Sequence, residues 1–155
     1  MEKIGLVKLF KIYVRDTEKE APVVDLTITV CTVTKSVSKA ANFSSEKIYI
    51  TTRVLKHMYD KRPAEEFNYI IHNLWQISKF PDEIYENNNS KRGQFVFIKK
   101  LGKFKYFCSV EKTNEEDPDS HCIGMNYIVT AFRVEDTYLK SFRLLWSWKG
   151  GTPSS

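Results

Sequence analysis

The chain reads as an α+β domain, and three features predict that class. Runs rich in β-branched and aromatic residues crowd the first fifty positions. Two amphipathic helical patterns then follow in succession between residues 51 and 79. Strand-like alternation fills most of what remains.

The elements follow in order. "LVKLFKIYV" and "VVDLTITVCTVTK" have strand composition. In the second, Leu26, Ile28 and Val30 alternate with Thr27, Thr29 and Cys31, the pattern of a half-buried strand. "SVSKAANFSSEK" is expected to be a polar loop and "KIYI" a short strand. A helix begins at "TT", where Thr51 or Thr52 can cap its unpaired amides. Leu55, Met58 and Tyr59 form its apolar stripe, with Arg53, His57, Asp60 and Lys61 on another face. It must stop before Pro63, which disfavours a helical Arg62 and suits the first position of the next helix. There Glu65 and Glu66 lie where the helix dipole favours anions, and Phe67, Ile70, Ile71, Leu74 and Trp75 make a 3.6-period stripe ending near "KFPDE".

"ENNNSKRG" is turn-forming, and "QFVFIKK" and "KFKYFCSVEK" flank "LG" as a hairpin. "TNEEDPDSHC" is an acidic surface loop, "NYIVTAFRV" a buried strand, "EDTYLKSF" a short helix and "RLLWSWK" a last strand. The predicted architecture is N-terminal strands and two helices followed by an antiparallel sheet. Residues 1–47 form a β-rich segment packed on a main domain of residues 48–150, and residues 151–155 a flexible tail.

At 155 residues the chain holds one core rather than two. Its 24 Lys and Arg exceed 19 Asp and Glu, for a net charge of +5, which is compatible with a polyanionic partner. Cys31, Cys108 and Cys122 form no CxxC pair, which argues against a disulfide framework. No run reaches the roughly 18 apolar residues of a membrane span, and "MEKIGLVKLFKIYVRD" lacks the uninterrupted apolar core of a secretory signal. The expected location is the cytoplasm. Phosphate-binding loops, dinucleotide glycine patterns, GxSxG and HExxH are not found, so a cofactor-dependent enzyme is disfavoured and no cofactor is expected.

His57 stands off its helix's apolar stripe, between Lys56 and the Lys61-Arg62 pair. An imidazole can take a proton from a hydroxyl and return it, and nearby cations would hold phosphate. The plain alternative is an exposed helix histidine with no role. His72 lies just off the core stripe and is expected at the surface or in packing. Cys108, His121 and Cys122 match no zinc spacing, and no metal site is expected.

Basic residues are also spread through the chain at Lys61-Arg62, Lys91-Arg92, Lys99-Lys100, Lys103, Lys105, Arg133 and Lys149. Phe95, Phe97, Tyr106, Trp146 and Trp148 interleave with them. Arginine clamps phosphate and aromatic rings stack on unpaired bases. For the hairpin lysines, strand alternation alone predicts a solvated face. Thr130 alternates with Ile128 and Phe132, while Arg133 falls on the opposite face unless a bulge intervenes.

The ordered series "LKHMYDKRP", "FPDEIYEN", "KRGQFVFIKK", "IVTAFRV" and "LLWSWKGGTPSS" resembles the phage-associated branch of the barnase–EndoU–colicin–RelE-like nucleases, over residues 48–155. The resemblance implies a barnase/RelE-like nuclease fold and a metal-independent, toxin-like endoribonuclease. It also implies that His57 matches the family's helix histidine and Thr130 a hydroxyl on a central strand, with phosphate ligands near Arg62 and Arg92. The expected reaction is 2′-hydroxyl transphosphorylation of RNA, possible targets including tRNA, to a 2′,3′-cyclic phosphate.

The candidate catalytic residues are thus His57 and Thr130. The candidate RNA contacts are Lys61, Arg62, Lys91, Arg92, Arg133, Trp148 and Lys149. Tyr59, Lys61 and Lys149 remain open as the second proton carrier. RNA is the expected partner, and a cognate inhibitor protein a further one. The alternative is a non-catalytic RNA- or protein-binding module on the same fold.

Overall fold

The computed structural model describes residues 2–87, 95–113 and 125–148. Its elements are α1 (Glu2–Tyr13), β1 (Thr27–Thr32), α2 (Lys35–Ala41), β2 (Lys47–Thr51), α3 (Thr52–Lys61), α4 (Ala64–Lys79), β3 (Glu83–Glu86), β4 (Phe95–Leu101), β5 (Phe104–Lys112), β6 (Asn126–Val134), a 3₁₀ helix (Asp136–Ser141) and β7 (Arg143–Ser147). The strands form one sheet in the order β1-β2-β6-β5-β4-β3-β7. All neighbours are antiparallel except β2 and β6, so the sheet is mixed rather than purely antiparallel.

The class is α+β, but the chain does not begin with a strand. "LVKLFKIYV" lies in α1. Leu6, Phe10 and Val14 recur at four-residue spacing and are all buried, a helical period that outweighs the strand composition of the segment. Gly5 lets this helix approach the sheet closely, because a Cβ there would stand 2.9 Å from Ile28 Cδ1.

The stretch read as a polar loop contains α2. Thr34 caps it by accepting from the Val37 amide at 3.3 Å, Val37 and Ala41 anchor it, and Asn42 closes it in the left-handed conformation with φ 55°. Two buried side chains in seven residues leave too short a period to read. The four residues of β3 carry no sequence signature either, yet they sit between β4 and β7.

The remaining elements match their expected places. Arg62 leaves α3 in an extended conformation before Pro63, and α4 starts one residue after that proline. β4 and β5 pair through Leu101↔Phe104, with Gly102 at φ 63° in the two-residue turn. In β1, an extra residue between the pairs Thr29↔Tyr49 and Cys31↔Ile48 breaks the expected alternation, so Val30 and Cys31 are both buried.

Residues 1–47 are not β-rich; their described part supplies two helices and one strand. They share one hydrophobic core with the rest, in which Leu6, Phe10 and Val37 join Leu55, Ile70, Leu74, Phe97 and Ile128. A smaller cluster of Val96, Ile98, Phe107 and Leu139 covers the opposite face of the sheet beneath the 3₁₀ helix. No helix among the described residues is long and apolar enough to cross a membrane. Lys91, Arg92, residues 115–119, His121, Cys122, Lys149 and the tail 151–155 lie outside the described residues.

The segment between α1 and β1 is held by α3. The Lys56 ammonium is buried against Asp60 Oδ1 at 2.8 Å and Thr17 Oγ1 at 2.8 Å, and it also donates to the Glu18 carbonyl. The Glu20 amide donates to Asp60 Oδ2 at 2.9 Å. Burial alone would raise the Asp60 pKa, but the Lys56 hydrogen bond, the Glu20 amide and the nearby positive charges outweigh it and hold the carboxyl below its ordinary value.

A carboxylate whose pKa is lowered by folding adds stability that is full above its unfolded pKa of about 3.9. That stability is lost as pH falls through the folded value. Urea unfolding across the acid range should therefore show stability dropping below about pH 4, with Asp60→Asn giving a shallower acid limb. At neutral pH the same variant should be less stable by on the order of 3 kcal/mol, because it leaves the Lys56 ammonium without its carboxylate.

Candidate functional site

The site arises where the sheet is incomplete. β2 runs beside β6 only at Ile48↔Asn126 and Tyr49↔Tyr127, and then turns into α3. Beyond that point the backbone of β6 has β5 on one side and, among the described residues, no strand on the other. The corner between α3 and α4 fills the gap. Arg62 Nε donates to the Ala131 carbonyl at 3.1 Å, and the Arg133 amide approaches Glu66 Oε2 at 3.4 Å. Two open-edge groups of β6 are thus met by side chains instead of a strand.

A bulge in β6 sets which side chains meet here. Ser109 pairs with Thr130 and Val110 with Ile128, so Val129 is the extra residue. Simple alternation would put Thr130 beside Ile128. The bulge separates them, because Ile128 and Ala131 lie in the main core while Phe132 packs on the opposite cluster. Arg62 follows Thr130 across the strand edge. Its Nη2 donates to Thr130 Oγ1 at 2.8 Å, and its guanidinium carbon lies 4.8 Å from the Phe132 ring centroid. Burial lowers the Arg62 pKa, opposed by Glu66, from a reference so high that the side chain stays cationic near neutrality.

The start of α3 builds the other wall. Thr51 is the helix cap, its hydroxyl accepting from the Val54 amide at 3.3 Å. Thr52 is fully buried and ties down the chain before β1. Its amide donates to the Leu26 carbonyl at 2.9 Å, and its hydroxyl accepts from the Leu26 amide at 2.9 Å and donates to the Val24 carbonyl. Asp25, between these two bonded residues, is thereby held at the mouth of the gap. Arg53 follows at once, and His57, one turn later, projects from the same face.

The result is a cleft of about 610 Å³ whose polar lining includes Asp25, Arg53, His57, Arg62 and Thr130. Of the residues singled out from sequence, His57, Thr130 and Arg62 come together here. Lys61 is exposed and borders an adjoining cleft that shares Arg53 and His57 with the first. Arg133 lies elsewhere, its Nε donating to the Tyr106 hydroxyl at 3.0 Å and its guanidinium 4.1 Å from the Phe104 centroid. Trp148 lines a different cleft beside Phe80 and Trp146.

Lys56 belongs to the buried pair with Asp60, so the cations near His57 in this cleft are Arg53 and Arg62 rather than Lys56. Tyr59 is turned to the chain after α1, where its hydroxyl accepts from the Asp16 amide at 3.1 Å. His72 is exposed on α4, its ring bonded to the Asn68 carbonyl at 2.8 Å. Two hairpin lysines face carboxylates, Lys105 at 2.6 Å from Asp136 and Lys99 at 3.4 Å from Asp82. Cys108 is fully buried, and that burial raises its thiol pKa, with Cys31 adding to the shift.

Asp25 carried no signal in the sequence. It reaches the cleft through the pairing of Thr52 with Val24 and Leu26, a contact across 26 residues. Arg53 was legible only as a neighbour of His57 on the helix face. Among the described residues, no cluster of His, Cys, Asp and Glu is placed to hold a metal ion. No protein-family model, curated protein or solved structure matches this chain.

The Thr52 hydroxyl both donates and accepts in a buried setting, so valine in its place would leave two backbone partners unmet at nearly unchanged volume. Thr52→Val should cost about 1–3 kcal/mol. Chemical denaturation measures the loss, and hydrogen exchange at the Leu26 amide should speed up more than at the α4 core.

Proposed function

We propose that the protein is a metal-independent endoribonuclease acting through the cleft between α3 and β6. One observation supports this most. His57, an acidic residue, two arginines and a hydroxyl, drawn from three separate parts of the chain, line one open cleft.

Transphosphorylation of RNA needs little more than this set. A base removes the proton from a ribose 2′-hydroxyl, and that oxygen forms a bond to the adjacent phosphorus. The bond from phosphorus to the 5′-oxygen breaks, and an acid supplies the proton that the departing oxygen takes up. His57 and Asp25 are the imidazole and the carboxylate that line the cleft. In this reading His57 takes the 2′-hydroxyl proton, and a solvent water ordered by the Asp25 carboxylate passes that proton from the imidazolium to the departing 5′-oxygen. Arg53 and Arg62 stabilise the charge that grows on the non-bridging oxygens. The Thr130 hydroxyl, accepting from Arg62, is left with its own proton to donate to phosphate.

One observation favours the alternative of a non-catalytic RNA-binding module. Arg62 is already engaged by Thr130, the Ala131 carbonyl and the Phe132 ring, a structural duty that needs no substrate. The two readings part at His57, an exposed side chain that cleavage needs and a binding module does not.

Incubation with total tRNA and a structured RNA in excess EDTA, followed by mapping of the new ends, tests the proposal. The expected products carry 2′,3′-cyclic phosphates. His57→Ala should lower the cleavage rate about 10²- to 10⁴-fold while RNA binding persists. Asp25→Asn should lower the rate as well, and Arg53→Ala should weaken binding and reduce its salt dependence by about one phosphate contact. RNA that is bound but left intact by the wild-type protein would establish the binding module instead.

A further inference from the structure

A second cleft lies at the far end of α4, between the start of α2, the residues that follow α4, and the end of β7. Its volume is about 450 Å³, within the usual size of a small-ligand pocket. Helix α4 has 16 residues, so the cleft stands roughly 24 Å along the helix from the corner that holds Arg62.

Its walls are aromatic. Phe80 is 45% exposed and Trp148 62% exposed, and Trp146 lines the same cleft while packing on the core. Buried Val37 lies at the base of the cleft. Exposed rings that line one cleft, rather than being scattered singly, form the kind of apolar patch that marks a binding site.

The walls are also braced. The Trp148 amide donates to the Asp82 carbonyl at 3.0 Å, and the Asp82 amide donates to the Ile98 carbonyl at 2.7 Å. The Asp82 carboxylate accepts from the Lys100 amide at 2.8 Å and faces Lys99 at 3.4 Å. An extra residue in β7, Leu145, lies between the pairs Tyr85↔Leu144 and Ile84↔Trp146, and so sets the direction of Trp146. Two cations stand at the mouth. Lys99 is directed to Asp82, while Lys79 holds its ammonium 5.6 Å from the Phe80 ring centroid. The exposed hydroxyl of Ser36 lies on the rim.

We propose that this cleft binds an unpaired nucleotide, with its base stacked on the Phe80 and Trp148 rings and its phosphate held by Lys79. Aromatic faces accept any base, and an adjacent cation selects for the phosphate that follows it. A flat apolar ligand would use the rings but not the cation. A paired helix would present phosphate but no free base face. The inference extends the RNA reading without depending on it, because binding here requires no chemistry at His57.

The test uses a thymidine hexadeoxynucleotide, which lacks the 2′-hydroxyl and so cannot be cleaved by transphosphorylation. Binding to the full chain is followed by quenching of tryptophan fluorescence and by anisotropy of an end-labelled oligonucleotide. The wild-type protein should bind the single strand, with quenching, more tightly than a duplex of equal phosphate count. Phe80→Ala and Trp148→Ala should each weaken binding about 5- to 150-fold, the range expected for loss of one stacked base. Lys79→Ala should weaken it less and reduce the salt dependence. Both rings are exposed, and circular dichroism checks that each variant is folded. Absence of binding by the wild-type protein, equal affinity of the two aromatic variants and the wild type, or equal affinity for duplex and single strand would each overturn the proposal. Failure of RNA cleavage would leave this result untouched.

Discussion

The open edge of β6 organises much of this molecule. A strand flanked on one side only exposes backbone donors and acceptors that must find partners. Here β2 pairs with β6 at Ile48 and Tyr49, continues to Thr51 against β1 alone, and becomes α3. The corner between α3 and α4 therefore does the work of a strand with Arg62 and Glu66. The same corner turns Arg62 toward the Thr130 hydroxyl and leaves a cleft where a strand would otherwise lie.

Adjacent threonines divide the labour at the start of that helix. Thr51 caps α3, and Thr52 points the other way to fasten residues 24 and 26. One side of the helix then does two jobs. Lys56 and Asp60 hold the segment that follows α1, while Arg53 and His57 face the cleft. A charged pair so deeply placed trades solvation for a fixed geometry, and the geometry it fixes is that of the chain leading to Asp25.

The two clefts differ in chemistry as well as position. The one beside His57 gathers an imidazole, a carboxylate and arginines beside the edge of β6. The one beside Trp148 gathers rings over an apolar base, with lysines at its mouth. The partner we propose, a single-stranded polyanion, would place its phosphates at the first and an unstacked base at the second.

The sequence by itself determined the elements whose period is long or whose punctuation is sharp. The five apolar positions of α4, the stop imposed by Pro63, the Gly102 turn and the alternation of β4 and β5 are local signals, and each appears where expected. It also singled out His57 as a histidine off the core stripe. Tertiary structure decided the rest. α1 is a helix because Leu6, Phe10 and Val14 find α4 and the sheet to pack against, whatever their strand composition. Thr130 parts from Ile128 because one extra residue, Val129, reverses the pleat, and a bulge has no reliable signature in a single sequence. Asp25 joins His57 through the hydroxyl of Thr52, which holds the residues on either side of it. Local periodicity reports on neighbours along the chain, whereas a site is made by residues that meet only once the chain has closed on itself.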